Sequence, residues 1–131
     1  MFKIIYIIPF LLISFKSLAE NLPLQVQVNA LFVEEEMDFK IINFHYEITN
    51  IGDKFIKLAH HQIVISDLLG EYVNNFGLEK DLYIASGEKK DFKKKYSVLS
   101  TRIEKINFND FVFEYRPEAY VFEDNSIMEF D

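Results

Sequence analysis

The sequence predicts an all-β protein, an antiparallel sandwich of about seven strands, on three observations. Apolar residues recur with a period of two over several short stretches, turn residues separate those stretches, and no stretch holds a sustained helical period. Composition permits such a fold: apolar residues make up 50% of the chain, with 14 Phe and 7 Tyr, enough for one core. Four Gly and three Pro leave no linker, repeat or low-complexity segment that would divide it.

Residues 1–19, MFKIIYIIPFLLISFKSLA, read as a signal peptide. Lys3 gives a positive start, Ile4 to Phe15 an apolar core, and Ser17-Leu18-Ala19 a small-x-small cleavage pattern. The apolar core is well short of the roughly 20 residues a membrane-spanning helix requires, so cleavage near Ala19 is expected. Pro9 inside the core and Lys16 near the cleavage point leave an uncleaved peripheral anchor as the alternative. The mature domain then begins at Glu20 and works in a periplasm or outside the cell. The leader holds Lys3 and Lys16 and no acidic residue, so the mature part is more acidic than the whole chain at −7. That acidity argues against nucleic acid, which requires a basic face. Cysteine is absent, which excludes disulfides, thiolate metal sites, cysteine nucleophiles and a lipid-bearing cysteine.

The first strand shows Leu24, Val26, Val28, Ala30 and Phe32 alternating with Gln25, Gln27, Asn29 and Leu31. Glu34, Glu35, Glu36 and Asp38 interrupt the pattern as a solvated loop, without the spaced ligands and glycine of a calcium loop. In the second strand Ile42, Phe44, Tyr46 and Ile48 share one face, and Asn50-Ile51-Gly52-Asp53 supplies turn chemistry. Phe55 to Leu58 and Ile63 to Ile65 form one long, bent strand, closed by the turn Asp67 to Gly70. Tyr72 to Phe76 and Leu82 to Ala85 are shorter strands, and Ser86-Gly87-Glu88 is a turn. A lysine-rich strand follows, with Phe92, Tyr96 and Val98 on one face. After a turn near Asn109-Asp110 come Phe111, Phe113 and Tyr115, and Pro117 is expected to end this last strand. The domain is therefore drawn as 20–117, with 118–131 an acidic, mobile tail that Tyr120, Val121, Phe122, Ile127 and Phe130 could dock.

Within residues 39–98, the order Phe44-His45-Tyr46-Glu47-Ile48-Thr49-Asn50, Gly52-Asp53, Ile56-Lys57-Leu58, Ile65-Ser66-Asp67 with Gly70-Glu71, and Ser86-Gly87-Glu88 resembles small immunoglobulin-like, fibronectin III-like domains. It is similar to ApaG-domain proteins and to the exported proteinase-inhibitor-like domain of bacilli. The resemblance implies an immunoglobulin-like sandwich and, because turn residues carry it, no site residue. The glycine-rich G-x-G-x-x-G segment expected of ApaG is missing, with only Gly77 near Asn74-Asn75-Phe76, so phosphate-ligand binding is not carried over.

Three constellations could carry function. Lys89, Lys90, Lys93, Lys94 and Lys95, with Phe92 among them, form the one basic cluster on an acidic domain. Their placement suits an edge strand guarded against aggregation, or docking to an acidic protein surface or to anionic lipid. His45 and His60 are the weak metal candidates: a hairpin centred on Gly52 and Asp53 sets them opposite each other, whereas strands in different sheets separate them. His60 and His61 are adjacent on a strand and so face opposite ways. For catalysis there is no G-x-S-x-G, no H-E-x-x-H and no phosphate-cradling loop. The expectation is a non-enzymatic, exported module without cofactor that binds another envelope or extracellular protein. Edge strand, end loops, Lys89 to Lys95 and the turn Asp67 to Gly70 are the places of contact. A periplasmic small-ligand or metal carrier is the alternative, and a protease inhibitor, implied by the resemblance alone, is the third.

Overall fold

In a computed structural model of the chain, the described residues are 2–6, 11–12, 22–36, 39–97 and 108–130. The cleavage motif Ser17-Leu18-Ala19, Asp38 and Val98 lie outside them. The chain forms two antiparallel sheets that face each other. The first has the order β1 (Phe2–Tyr6), β3 (Leu24–Glu36), β4 (Phe39–Asn50) and β8 (Lys89–Ser97), with β2 (Leu11–Leu12) also on β3. The second has the order β10 (Ile127–Glu129), β9 (Phe111–Phe122), β5 (Ile56–Asp67) and β6 (Tyr72–Gly77), with β7 (Asp81–Ile84) also on β5. Among the described residues, no helix is long and apolar enough to cross a membrane.

Alternation fixes which side of each strand enters the core. Ile42, Phe44, Tyr46 and Ile48 of β4 are buried, as are Ala59, His61, Ile63, Ile65 and Asp67 of β5. Fully burying an Ile, Leu or Phe side chain contributes about 1.5–3 kcal/mol relative to exposing it. On β3 the expected face fails halfway. Leu24, Val26 and Val28 point inward, but beyond a bulge between Val28 and Ala30 the buried residues are Leu31 and Val33, not Ala30 and Phe32. One extra residue in a strand reverses every side chain after it. The acidic run also differs from expectation: Glu34, Glu35 and Glu36 belong to β3 and pair with Ile41, Lys40 and Phe39.

Asn50 organises the crossing from the first sheet to the second. Buried at the end of β4, its amide nitrogen donates to the carbonyls of Lys54 (2.8 Å) and Ile84 (3.1 Å), while its amide oxygen accepts from Gly52 N–H (3.0 Å). Gly52 must be glycine here, because a Cβ would sit 2.8 Å from that of Pro23. β5 is the predicted long strand, its bend a register irregularity between Ile56 and Leu58.

Pro117 does not end the last strand. It pairs with His61 while His60 pairs with Ala119, so Glu118 is the extra residue of a bulge and β9 continues to Phe122. A bulge accommodates proline because the ladder is already interrupted there. Tyr120 and Phe122 are consequently buried, β10 pairs with β9, and Phe130 packs edge-on against Tyr120 at 4.9 Å. Residues 118–130 are therefore part of the second sheet rather than a mobile tail.

Candidate interaction surfaces

The lysine cluster lies on β8, an edge strand of the first sheet, and its members have two different roles. Lys89, Lys93 and Lys95 are exposed; Lys89 reaches Glu47 at 3.3 Å. Lys90, Phe92, Lys94 and Tyr96 alternate with them on the inner face and are half-buried. Phe92 stacks on Tyr46 at 5.4 Å. Lys90 donates to the carbonyls of Leu82 (2.9 Å) and Tyr83 (3.0 Å), and Lys94 pairs with Glu79 at 2.9 Å. Two of the five predicted docking lysines thus tie the edge strand to the second sheet, Lys90 to β7 and Lys94 to the segment joining β6 and β7.

That segment is clasped from both sheets. From the first sheet, the Tyr46 hydroxyl accepts the Glu79 amide at 2.7 Å and the Tyr96 hydroxyl donates to the Gly77 carbonyl. From the second, His61 Nε2 lies 2.7 Å from the Glu79 carbonyl oxygen. A carbonyl only accepts, so Nε2 carries the proton and Nδ1 is the acceptor. The Tyr115 hydroxyl, 2.8 Å from Nδ1, must donate to it, and Tyr120, 2.6 Å from Tyr115, donates in turn to Tyr115. Burial pushes the His61 imidazole down to about 4 and raises both tyrosine hydroxyls. His61 is neutral at physiological pH, a structural hydrogen-bonding group in a chain whose three polar groups are satisfied.

The metal candidates separate. His45 is on β4 in the first sheet, edge-on to Phe32 at 5.3 Å, while His60 is on β5 in the second, 2.7 Å from Glu118. The hairpin that would have paired them is the crossing between sheets. Among the described residues, no group of three or more His, Cys, Asp and Glu could hold a metal ion. The hollow beside His60 and His61 measures about 260 Å³.

The turn Asp67 to Gly70 forms the other candidate surface. Asp67 is buried, and its Oδ1 accepts from the amides of Leu69 and Glu71, both at 2.9 Å. Gly70 donates its N–H to the Asp67 carbonyl at 3.0 Å and adopts φ +85°, a left-handed conformation that favours glycine. This rigid turn projects Leu68 and Leu69 outward, 69% and 88% exposed. Tyr72 and Val112, 62% and 50% exposed, both pair with Ser66, so they flank it on the outer face of the second sheet. Sequence reasoning singled out the turn but not this row, because β6 and β9 meet on either side of β5 only in the folded sheet.

No protein-family model matches the chain, and neither curated proteins nor solved structures provide a match. The resemblance read from the turn residues therefore stands at the level of an all-β, antiparallel, two-sheet fold.

Proposed function

We propose that this chain is an exported, non-enzymatic protein-binding module built on an immunoglobulin-like sandwich, acting in the periplasm or outside the cell. Counted from Leu24, the first sheet has strands one, two and five, and the second has seven, six, three and the fourth, split into β6 and β7. That order is the one expected of a fibronectin III-like domain and supports the fold-level part of the reading.

The observation that carries the binding part is the turn Asp67 to Gly70. Four apolar side chains, Leu68, Leu69, Tyr72 and Val112, are at least half exposed at one end of the second sheet, two of them on a turn held by a buried carboxylate. Exposed apolar side chains gathered at one end of a sheet, on a turn held by hydrogen bonds, support a reading of protein contact. Lys93 and Lys95, exposed on the outer face of the first sheet, are available for an acidic partner, whereas Lys90 and Lys94 are engaged within the fold.

Affinity capture from envelope and extracellular fractions with the domain starting at Glu20, compared with its Leu68→Ser/Leu69→Ser variant, tests the reading. One dominant partner retained by the parent and lost by an equally stable variant supports it. Equal capture by both removes the leucine turn as the contact.

A further inference from the structure

The strand edges of the two sheets are protected unequally. In the second sheet the edge strands are short: β10 has three residues, β7 four and β6 six. In the first, β8 turns Lys90 and Lys94 inward, a device that discourages another strand from adding there. β3 has neither protection. It runs 13 residues, LQVQVNALFVEEE, with no lysine and no proline. Its outer edge is occupied in the full chain by the N-terminal residues, with Phe2 to Tyr6 paired to Glu35 to Leu31 and Leu11 and Leu12 paired to Val28 and Gln27.

Removing residues 1–19 takes away those two strands and leaves the core cluster of the described residues, which runs from Leu22 to Phe122. The chain from Glu20 therefore keeps its two packed sheets while opening a long row of backbone N–H and C=O groups on β3. Such an edge is a template for strand addition.

We propose that the outer edge of β3 is a strand-pairing site, closed in the precursor by residues 2–6 and 11–12 and taken after cleavage by antiparallel β3 of a second copy. The proposal rests on the reading of residues 1–19 as a cleaved leader. Charge selects the antiparallel arrangement. About a two-fold axis near Ala30, Glu34, Glu35 and Glu36 of one copy lie beside the uncharged Val26, Gln25 and Leu24 of the other; parallel pairing would set carboxylate against carboxylate. The result is one sheet, β8-β4-β3-β3-β4-β8, continuous across two copies.

Sedimentation of the chain from Glu20 and of the full chain provides the first test, with a dimer expected for the former and a monomer for the latter. The protein has no cysteine, so spin labels at Gln25→Cys or Gln27→Cys report single positions. At 3.3 Å per residue the antiparallel dimer places the two labels about 33 Å apart at position 25 and about 20 Å at position 27. Ala30→Glu, half-buried beside His45 on the outer face, brings two carboxylates together near the axis and weakens the dimer by about fivefold. A monomeric chain from Glu20, equally short distances at both positions, a dimer indifferent to Ala30→Glu, or a dimeric full chain would each overturn the proposal. N-terminal mass analysis of the exported protein tests the leader separately: Met1 retained defeats the leader reading and leaves the behaviour of the isolated edge as measured.

Discussion

His61 Nδ1 and the Tyr115 hydroxyl lie 2.8 Å apart inside the second sheet, and their hydrogen bond runs in one direction only, from tyrosine to histidine. Tyr115→Phe leaves the buried Nδ1 without a donor and the Tyr120 hydroxyl without its acceptor. Loss of one partner from a buried pair costs about 1–3 kcal/mol. Urea denaturation should show a loss in that range, with the Tyr115→Phe/Tyr120→Phe double variant less damaging than the two single losses added. Strict additivity would show that the two hydroxyls act independently.

The same burial makes stability depend on pH. His61 is held down to about 4 in the folded chain and returns to about 6.5 on unfolding, so below pH 6.5 the unfolded state binds the extra proton. The contribution is complete above pH 6.5 and is lost as pH falls towards 4, a loss of about 3 kcal/mol from this group. Imidazole resonances followed by NMR should place the His61 midpoint near 4; a midpoint near 6.5 would contradict the buried network.

Lys90 and Lys93 are three residues apart on β8 and should behave differently on substitution. Lys90→Met removes two donations to the carbonyls of Leu82 and Tyr83 and should destabilise the chain by about 1–3 kcal/mol. Lys93→Glu with Lys95→Glu, both exposed, should stay within about 0.5 kcal/mol per site while weakening a partner that relies on the basic face. Equal thermal shifts for the two variants would erase the distinction between inner and outer lysines.

Asp67→Ala separates the leucine turn from the leucines themselves. Without Oδ1, the amides of Leu69 and Glu71 lose their acceptor, and melting should report about 1–3 kcal/mol of destabilisation. Partner capture should fall as well, although Leu68 and Leu69 remain. Capture unchanged by a loosened turn would mean that its rigidity is irrelevant to binding.

A chain ending at Pro117 should not fold. It lacks Tyr120 and Phe122, both buried, and loss of a large buried aromatic side chain alone costs about 3–5 kcal/mol. Dispersed amide resonances in the truncated protein would disprove the place of residues 118–130 in the second sheet.

Much of the fold was legible because a strand writes its buried face into alternate residues. Ile42, Phe44, Tyr46 and Ile48 needed no further information, and the turns at Asp67 to Gly70 and Ser86 to Glu88 were marked by residues that favour reversed or left-handed backbone. The failures are specific. The bulge after Val28 exchanged Phe32 for Leu31 in the core, and the bulge at Glu118 carried β9 past Pro117.

By itself the sequence determined that this is an all-β chain, where the turns Asn50 to Asp53, Asp67 to Gly70 and Ser86 to Glu88 fall, and that its lysines alternate between two faces of one strand. Only the tertiary structure decided which strands became neighbours. A period of two says which side of a strand is apolar but not which sheet receives it, so the separation of His45 from His60, the tethering of Lys90 and Lys94, and the row of Tyr72 and Val112 beside Leu68 and Leu69 arise from contacts across the sandwich and along its sheets.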